Sequence, residues 1–353
     1  MITGDLGTEL VTVLRQLAAD GALPAAAAEL PQAGTWRPAP DGDPASFATS
    51  LPFRIARLDG SAAADVAAAL ARPLRTVPWI RRVRPAAPGY LTITVIPGAL
   101  AAVAGRTAAA GPSCAHSAIL SGTATTIMPW PDLAAARSWP RAWQEQADAM
   151  TRQLSRAAGA DAASGGERGP RSDSAPATHS PVRSAVAWFG DSAVRYSVAR
   201  ARPGSISWLA WQLRPGYRMP AALTDVQVAL ANAAATQRWA ADLGIDRAKF
   251  SDDVAPALTG PAELRLLSLL SWLPEKVASA ARRSRPDELP RYLEQVAVAW
   301  MTCKLESPAL PFGGLAATGD PVVAGARLLL AEAARIVLAT GLDLTGITAA
   351  DQL

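Results

Sequence analysis

The chain has 353 residues, half of them hydrophobic, and a formal net charge of +4. That length can hold two or three modest domains. No uninterrupted apolar run reaches the roughly 18 residues of a membrane span, and the amino terminus lacks the basic and then apolar pattern of a signal peptide. The two cysteines, Cys114 and Cys303, lie far apart, which is typical of a reducing compartment. We therefore expect a cytoplasmic protein with no membrane partner.

The first hundred residues predict helices and one strand. Apolar residues at helical spacing predict a helix over 5–20, and the segment 45–74 predicts two further helices. A Pro- and Gly-rich passage from Pro31 to Pro44 predicts a loop or an irregular strand region. The sequence YLTITV at 90–95 alternates polar and apolar side chains, which predicts a half-buried strand with one polar face.

Three short stretches in this region follow one another in a familiar order. They are FATS at 47–50, RIA at 54–56 and PGYL at 88–91. In this order they resemble the N-terminal additional domain of arginyl-tRNA synthetases, which in that family touches the corner of the tRNA. The resemblance implies RNA contacts by Tyr90 and by Thr92, where the family has an asparagine.

The middle of the chain is less informative. A helix is predicted from Leu133 to Ala158, with a break at Pro140. From residue 159 to residue 182 the sequence has almost no large apolar side chain, so it cannot bury enough surface to order itself. We predict a disordered linker there.

The segment from Asp320 to Gly346 predicts a long helix. Asp320 suits the N-cap, the following proline suits the first helical position, and Gly341 suits the residue just past the end. With ARL at 326–328, this helix resembles the last helix of the DALR anticodon-binding domain of arginyl-tRNA synthetases. Further motifs of that family are matched by FGDSAVRY at 189–196, LLS at 266–268 and RYLE at 291–294.

The resemblance also implies site residues in this part of the chain. Arg195 and Tyr196 belong to the junction motif, and Arg327 belongs to the last helix. Trp300 and Lys304 lie in a run that takes the place of an aromatic and polar run of the family. Residues 261–353 contain nine basic and ten acidic side chains, so this region is not an electrostatic clamp as a whole.

The predicted fold class is α+β. A small N-terminal α/β additional domain covers 1–97, and a short connecting region covers 98–158. The linker over 159–182 joins them to an all-α DALR-type helical bundle over 183–353.

No catalytic centre is predicted. A class I synthetase stabilises the phosphates of ATP with a His-x-Gly-His turn and a Lys-Met-Ser-Lys-like loop, and neither His116 nor His179 lies in such a motif. Cys114 and His116 form an isolated Cys-x-His, which is more often incidental than a nucleophile with its base. Asp252 and Asp253 are a carboxylate pair or, more plausibly, a helix cap. We predict no cofactor, and no residue set has metal-ligand spacing.

Two stretches combine arginine with aromatic residues. The first runs from Arg72 to Arg84 around Trp79 and contains no acid, and the second runs from Arg183 to Arg218. Arginine neutralises phosphate and stacks on unpaired bases. The alternative is that the tryptophans are core residues and that the arginines pair with acids elsewhere. The predicted RNA-binding residues are Arg72, Arg75, Arg81, Arg82, Arg84, Tyr90, Thr92, Arg195, Tyr196, Trp300, Lys304 and Arg327.

These observations predict a catalytically inactive relative of arginyl-tRNA synthetase that binds tRNA, with tRNA-Arg as one candidate. It would deliver the tRNA to a tRNA-dependent enzyme or regulate the genuine synthetase. The alternative is a protein-interaction module derived from the anticodon-binding bundle. A third and less favoured interpretation is residual arginine-tRNA ligase activity with ATP supplied by a separate catalytic subunit.

Overall fold

The computed structural model describes residues 2–30, 36–163, 180–216, 221–245, 252–310 and 320–349. The chain divides into two compact units. Unit 1 contains residues 1–110, 240–275 and 302–333, and unit 2 contains residues 111–239, 276–301 and 334–353. The predicted domain boundaries divide the chain differently and stay predictions. Most of the linker predicted over 159–182 lies outside the described residues.

Unit 1 contains a four-stranded antiparallel sheet with strand order β1-β2-β4-β3. The strands are Trp36–Pro38 (β1), Ser46–Thr49 (β2), Ile80–Ala86 (β3) and Tyr90–Val95 (β4). Ile93 pairs with Phe47 on one side and with Val83 on the other. Paired residues of an antiparallel ladder lie on the same face. These three side chains therefore form an apolar face, and each is at most 3% exposed.

Five helices complete the described framework of unit 1: α1 (Ile2–Ala19), α2 (Leu51–Asp59), α3 (Ala63–Leu74), α4 (Pro97–Ala110) and α10 (Pro261–Ser271). In α1 the leucines 6, 10 and 14 recur every four residues and are fully buried, which makes one apolar stripe. Helix α3 packs against β3 and β4, and α10 packs against α4.

Unit 2 is mainly helical. It contains α5 (Trp139–Ala157), α6 (Pro181–Phe189), α7 (Asp191–Arg200), α8 (Ile206–Gln212) and a short parallel pair, β5 (Ala124–Thr125) and β6 (Asp161–Ala162). The helices that contribute residues to both units are α9 (Ala221–Asp242), α11 (Leu273–Arg282), α12 (Glu288–Glu306) and α13 (Pro321–Asp343). Among the described helices, none combines the length and the apolar character that crossing a membrane requires.

The predicted α+β class is confirmed, and the helix near the amino terminus and the strand at 90–95 both form. Two local predictions were wrong. Residues 46–49 form a buried strand beside β4 instead of helix, because strand pairing joins residues far apart in sequence and leaves no helical periodicity. Helix α5 begins at Trp139 rather than at Leu133, because Pro140 is accommodated in the first turn, where its missing N–H costs nothing.

Helix α13 confirms one predicted cap and corrects the other. Asp320 Oδ1 accepts a hydrogen bond from the backbone N–H of Val322 at 2.9 Å, so it caps the helix as predicted. Gly341 does not terminate the helix, which continues to Asp343. A Cβ added at Gly341 would lie 2.2 Å from Cδ2 of Leu293 on α12. The glycine is therefore required by a close helix–helix approach.

We expect Gly341→Ala to lower the free energy of unfolding by about 1–3 kcal/mol, the usual cost of overpacking a core. Leu293 is fully buried, so its side chain must shift within a packed core to make room for the methyl group. Urea unfolding measures the effect. Gly7→Ala in α1 is the control, because nothing lies within 4 Å of its added Cβ, and it should gain about 0.5–1 kcal/mol. Equal stability of the two variants would contradict the close approach.

Candidate nucleic-acid interface

One face of the sheet of unit 1 carries exposed arginines on its two edge strands, while its central residues Ala48 and Thr92 are buried. Arg84 pairs with Thr92, Thr92 pairs with Ala48, and Ala48 pairs with Arg37, so one line of residues crosses all four strands on one face. Arg82, paired with Thr94, and Tyr90, paired with Ala86, lie on the same face by the same alternation. We name Arg37, Arg82, Arg84 and Tyr90 the sheet surface.

The charges of the sheet surface are available to solvent. Arg37, Arg82 and Arg84 are exposed. Arg84 forms an ion pair with Asp41 at 3.2 Å, but its side chain stays 53% exposed, and exposed pairs contribute about 0–1 kcal/mol. Within the part of the chain that the structure describes, no acid pairs with Arg82. A phosphate group can therefore replace Asp41 as the partner of Arg84, and it can bind Arg82 without displacing an acid of the described residues.

Tyr90 is held between two side chains. The guanidinium of Arg37 lies 3.6 Å from the centre of the tyrosine ring, which is a close cation–π contact. The ring of Phe53 meets it edge to face at 4.9 Å. Arg37 was not predicted, because it falls in the Pro- and Gly-rich passage, and only the pairing of β1 with β2 reveals its position.

Three other predicted arginines lie near this sheet. Arg72 and Arg75 are exposed at the end of α3, and Arg75 Nη2 donates a hydrogen bond to the carbonyl of Val83 in β3 at 3.4 Å. Arg81 is exposed at the irregularity of pairing between Ile80 and Arg82. The structure thus places the arginines of the stretch from Arg72 to Arg84 on β3 and at the end of α3, which packs against β3.

Thr92 does not offer the expected base contact. Its side chain is 6% exposed, and its neighbour on the same face, Thr94, is hydrogen-bonded to Ser46 at 2.7 Å. The polar alternation of β4 therefore marks buried hydroxyl groups, which corrects the prediction of an exposed polar row.

Arg195 and Tyr196, two further residues of the predicted set, are buried in the structure. Arg195 is 6% exposed and donates hydrogen bonds to Asp191 at 3.0 Å, Gln146 at 2.9 Å and the Pro131 carbonyl at 3.1 Å. Tyr196 is 1% exposed, and its hydroxyl donates to the carbonyl of Pro290 at 3.0 Å. Burial raises the pKa of the Tyr196 hydroxyl above its ordinary range. These contacts favour the alternative interpretation as structural groups, and RNA binding by the two residues stays a prediction.

The predicted residues of α12 and α13 are mostly buried or paired. Trp300 is 3% exposed. Lys304 is partly exposed, and burial lowers the pKa of its ammonium group. Arg327 donates to the buried carboxylate of Glu263 at 2.8 Å and to the carbonyl of Pro308 at 3.0 Å. Because an unpaired buried carboxylate is strongly destabilising, Arg327 is a structural partner of Glu263.

A second group of arginines surrounds one buried carboxylate in unit 2. Asp287 is 3% exposed, and its two oxygens accept hydrogen bonds from Arg285 at 2.8 and 3.0 Å and from Arg202 at 3.3 Å. Arg291 Nε lies 3.5 Å from the same carboxylate. We name Asp287 with these three arginines the Asp287 cluster. Sequence spacing could not predict it, because Arg202 is 85 residues from Asp287.

The Asp287 carboxyl group is held in its ionised form. Burial opposes ionisation, but the hydrogen bonds from Arg285 and Arg202 and the charge of Arg291 outweigh it, so the pKa lies below the ordinary 3.8. Among the described residues no group of histidine, cysteine or carboxylate side chains could hold a metal ion.

The sheet surface and the Asp287 cluster are two basic regions of the described structure, and the geometry of both is suited to binding anions.

Residues 226–353 match the family model described as the DALR anticodon binding domain. This part of the chain is therefore similar to that domain. The predicted resemblance is confirmed for it, while the resemblance of residues 1–97 to the additional domain stays a prediction. The matched residues include Asp287, Trp300, Lys304 and Arg327, whereas the sheet surface precedes them in the chain.

The chain is also similar to proteins named arginine–tRNA ligase. It is 34% identical to that of Paenarthrobacter aurescens over 174 residues, which are 49% of this chain and 30% of the relative. It is 35% identical to that of Frankia alni over 164 residues, which are 46% of this chain and 29% of the relative. The chain therefore spans about 30% of the length of these relatives.

One solved structure, described as an arginyl-tRNA synthetase of Campylobacter jejuni, aligns with 51% of this chain and 37% of its own. The sequence identity is 18% and the TM-score is 0.37. At that TM-score the likeness carries no argument about the fold.

We expect Asp287→Asn to lower the free energy of unfolding at pH 7 by about 1–3 kcal/mol, the range for losing charged hydrogen bonds. Since the folded pKa lies below 3.8, the contribution of Asp287 is present above that pH and is lost as the pH falls through the folded pKa. The difference between the wild type and the variant, measured by urea unfolding, should therefore be constant above pH 5 and shrink below about pH 4.

The control is Asp148→Asn, which removes an exposed carboxylate of α5 in the same unit and should change stability by no more than about 0.5 kcal/mol. A difference for Asp287→Asn that stays constant down to the acid transition would contradict the assigned direction of the pKa shift.

Proposed function

We propose that this chain binds tRNA. The observation that carries the proposal is the DALR anticodon binding domain over residues 226–353, together with relatives that are named arginine–tRNA ligases. The name of this domain refers to binding of the anticodon, which is part of a tRNA. The exposed arginines of the sheet surface supply a second place where RNA phosphates can be held.

The chemistry of the sheet surface supports this proposal. Guanidinium groups neutralise phosphate and release condensed counterions, so the affinity for RNA depends on salt. Arg82 and Arg84 lie on one face of the sheet with Arg37, and the Arg37–Tyr90 pair offers a planar group on which an unpaired base can stack. The surface therefore combines charge with a stacking position. This is the combination expected for a folded RNA with exposed bases at its corner.

We propose further that the chain does not aminoacylate tRNA by itself. Its similarity is to about 30% of the length of the ligases, and its two histidines do not form the ATP-binding turn of a class I synthetase. It would then deliver tRNA to a tRNA-dependent enzyme or regulate a genuine synthetase, with tRNA-Arg as the first candidate. We place this activity in the cytoplasm, where such enzymes use tRNA.

One observation favours a second candidate, a protein-interaction module. Trp188 in α6 and Trp208 in α8 are 60% and 57% exposed. Exposed tryptophans are enriched at protein interfaces. If the chain retains no tRNA at low salt, this candidate replaces tRNA binding.

The first experiment is filter binding of tRNA-Arg and of an unrelated tRNA between 50 and about 200 mM salt, a range in which phosphate contacts change affinity strongly. The wild type should show a salt-dependent affinity. The double variant Arg82→Ala/Arg84→Ala should bind more weakly, and its salt slope should be smaller by about 2, one for each lost phosphate contact.

The matched control is Arg15→Ala/Arg265→Ala, which removes the same charge from exposed positions on α1 and α10 of unit 1. It should keep the wild-type slope within about 0.5. Absence of salt-dependent binding by the wild type would overturn the proposed function. An equal loss in both double variants would remove the sheet surface from it.

The second experiment is ATP–pyrophosphate exchange in the presence of arginine and tRNA-Arg. We expect no exchange above the background of a preparation without the protein, because the residues that stabilise ATP phosphates in a class I synthetase are not found in this sequence. Exchange that scales with the concentration of the chain would show arginine activation and would contradict the catalytic part of the proposal.

A further inference from the structure

The Asp287 cluster holds more positive charge than its carboxylate can neutralise. Arg202, Arg285 and Arg291 all lie within 3.5 Å of Asp287, so three guanidinium groups surround one buried carboxylate, and the charge of the neighbouring Glu288 also acts on Arg285. The neighbouring pairs are balanced, since Arg200 pairs with Glu294 and Arg283 pairs with Glu288. The surplus positive charge is therefore concentrated at Asp287.

The guanidinium groups also keep unused donors. Each arginine has five N–H groups. Arg202 reaches Asp287 through Nε only, and both of its Nη atoms lack an acceptor among the described residues. Arg291 donates from Nη2 to the carbonyl of Arg200 at 3.2 Å, while its buried Nε has no hydrogen-bond partner among them. The network is therefore open to a further acceptor.

The three arginine side chains are partly exposed beside a helix N-terminus. The side chains of Arg202, Arg285 and Arg291 are 59%, 41% and 35% exposed, whereas that of Asp287 is 4% exposed. Helix α12 begins at Glu288, directly after Asp287, and has 19 residues. The dipole of this helix favours negative charge at its N-terminus, while the N–H groups of Glu288 and Leu289 donate to the carbonyls of Arg285 and Pro286. The positive charge of the three arginines, their unused N–H donors and the dipole of α12 therefore all favour an anion beside Asp287.

We propose that the Asp287 cluster is a phosphate-binding site, in which the buried carboxylate positions three guanidinium groups and the ligand supplies the missing acceptors. A phosphate group fits because guanidinium forks bind its oxygens in pairs. The phosphodiester of a single-stranded RNA segment is the favoured source. Trp208 and Trp211 lie a few residues beyond Arg202 and are exposed, so bases attached to that phosphate can stack nearby. This choice of source rests on the proposed function.

The test uses the full chain and two probes, a short single-stranded RNA measured by fluorescence anisotropy and inorganic phosphate measured by calorimetry. Arg202→Ala should weaken binding of the probe by about tenfold, the effect of losing a charge-assisted hydrogen bond. Arg202 is the most exposed of the three arginines, so Asp287 keeps two partners and the variant should fold. Arg285→Ala is a second variant, and circular dichroism checks the folding of both.

Arg282→Ala is the matched control, because it removes an exposed arginine from the last turn of α11 outside the cluster. It should change binding by less than about twofold. A selective loss of RNA binding identifies the phosphodiester as the ligand, and a selective loss of phosphate binding with no effect on RNA identifies free phosphate. An effect of Arg202→Ala no larger than that of Arg282→Ala on either probe overturns the proposal.

The outcomes separate this site from the proposed function. If the wild type binds tRNA but the cluster variants behave like the control, the phosphate site fails and tRNA binding stands. If the wild type binds no tRNA, yet inorganic phosphate binds and depends on Arg202 and Arg285, the phosphate site stands and the proposed function fails.

Discussion

Ion pairs with buried carboxylates determine which arginines of this protein are committed to internal partners and which can bind a ligand. Glu263 and Asp287 are 1% and 3% exposed, and a carboxylate so placed requires a charged partner. Arg327 is committed to Glu263. Asp287, by contrast, gathers three guanidinium groups and leaves an excess of charge. An arginine count therefore says little about RNA binding until the buried acids have been located.

Much of the fold follows from local sequence. Helical spacing predicts α1, alternation predicts β4, and the Asp320 cap predicts the start of α13, since each depends on residues within a few positions of one another. Strand β2 and the end of α13 could not be predicted in this way. Residues 46–49 are a strand because they pair with β4, and Gly341 lies inside a helix because Leu293 packs against it. Both depend on partners more than 40 residues away.

The residues of the candidate sites also divide into those that local sequence predicts and those that depend on distant partners. The arginines between Arg72 and Arg84 are exposed, as expected for a stretch without any acid of its own. Arg195 looked equivalent in sequence, yet it is buried against Gln146, 49 residues away. Arg37, by contrast, was not predicted as a site residue, because only strand pairing places it beside Tyr90. A basic stretch thus predicts exposure best where the side chains extend from a strand face and no buried partner is within reach.

The glycine at position 341 also fixes the axial register of two helices. If α13 slid along α12 by one turn, about 5.4 Å, a side chain such as that of Val337 would face Leu293 in place of a bare backbone. The β-branched group could not fit where even a methyl group is excluded. The sliding of packed helices is a common means of conformational change, and the close approach at Gly341 opposes it at this crossing.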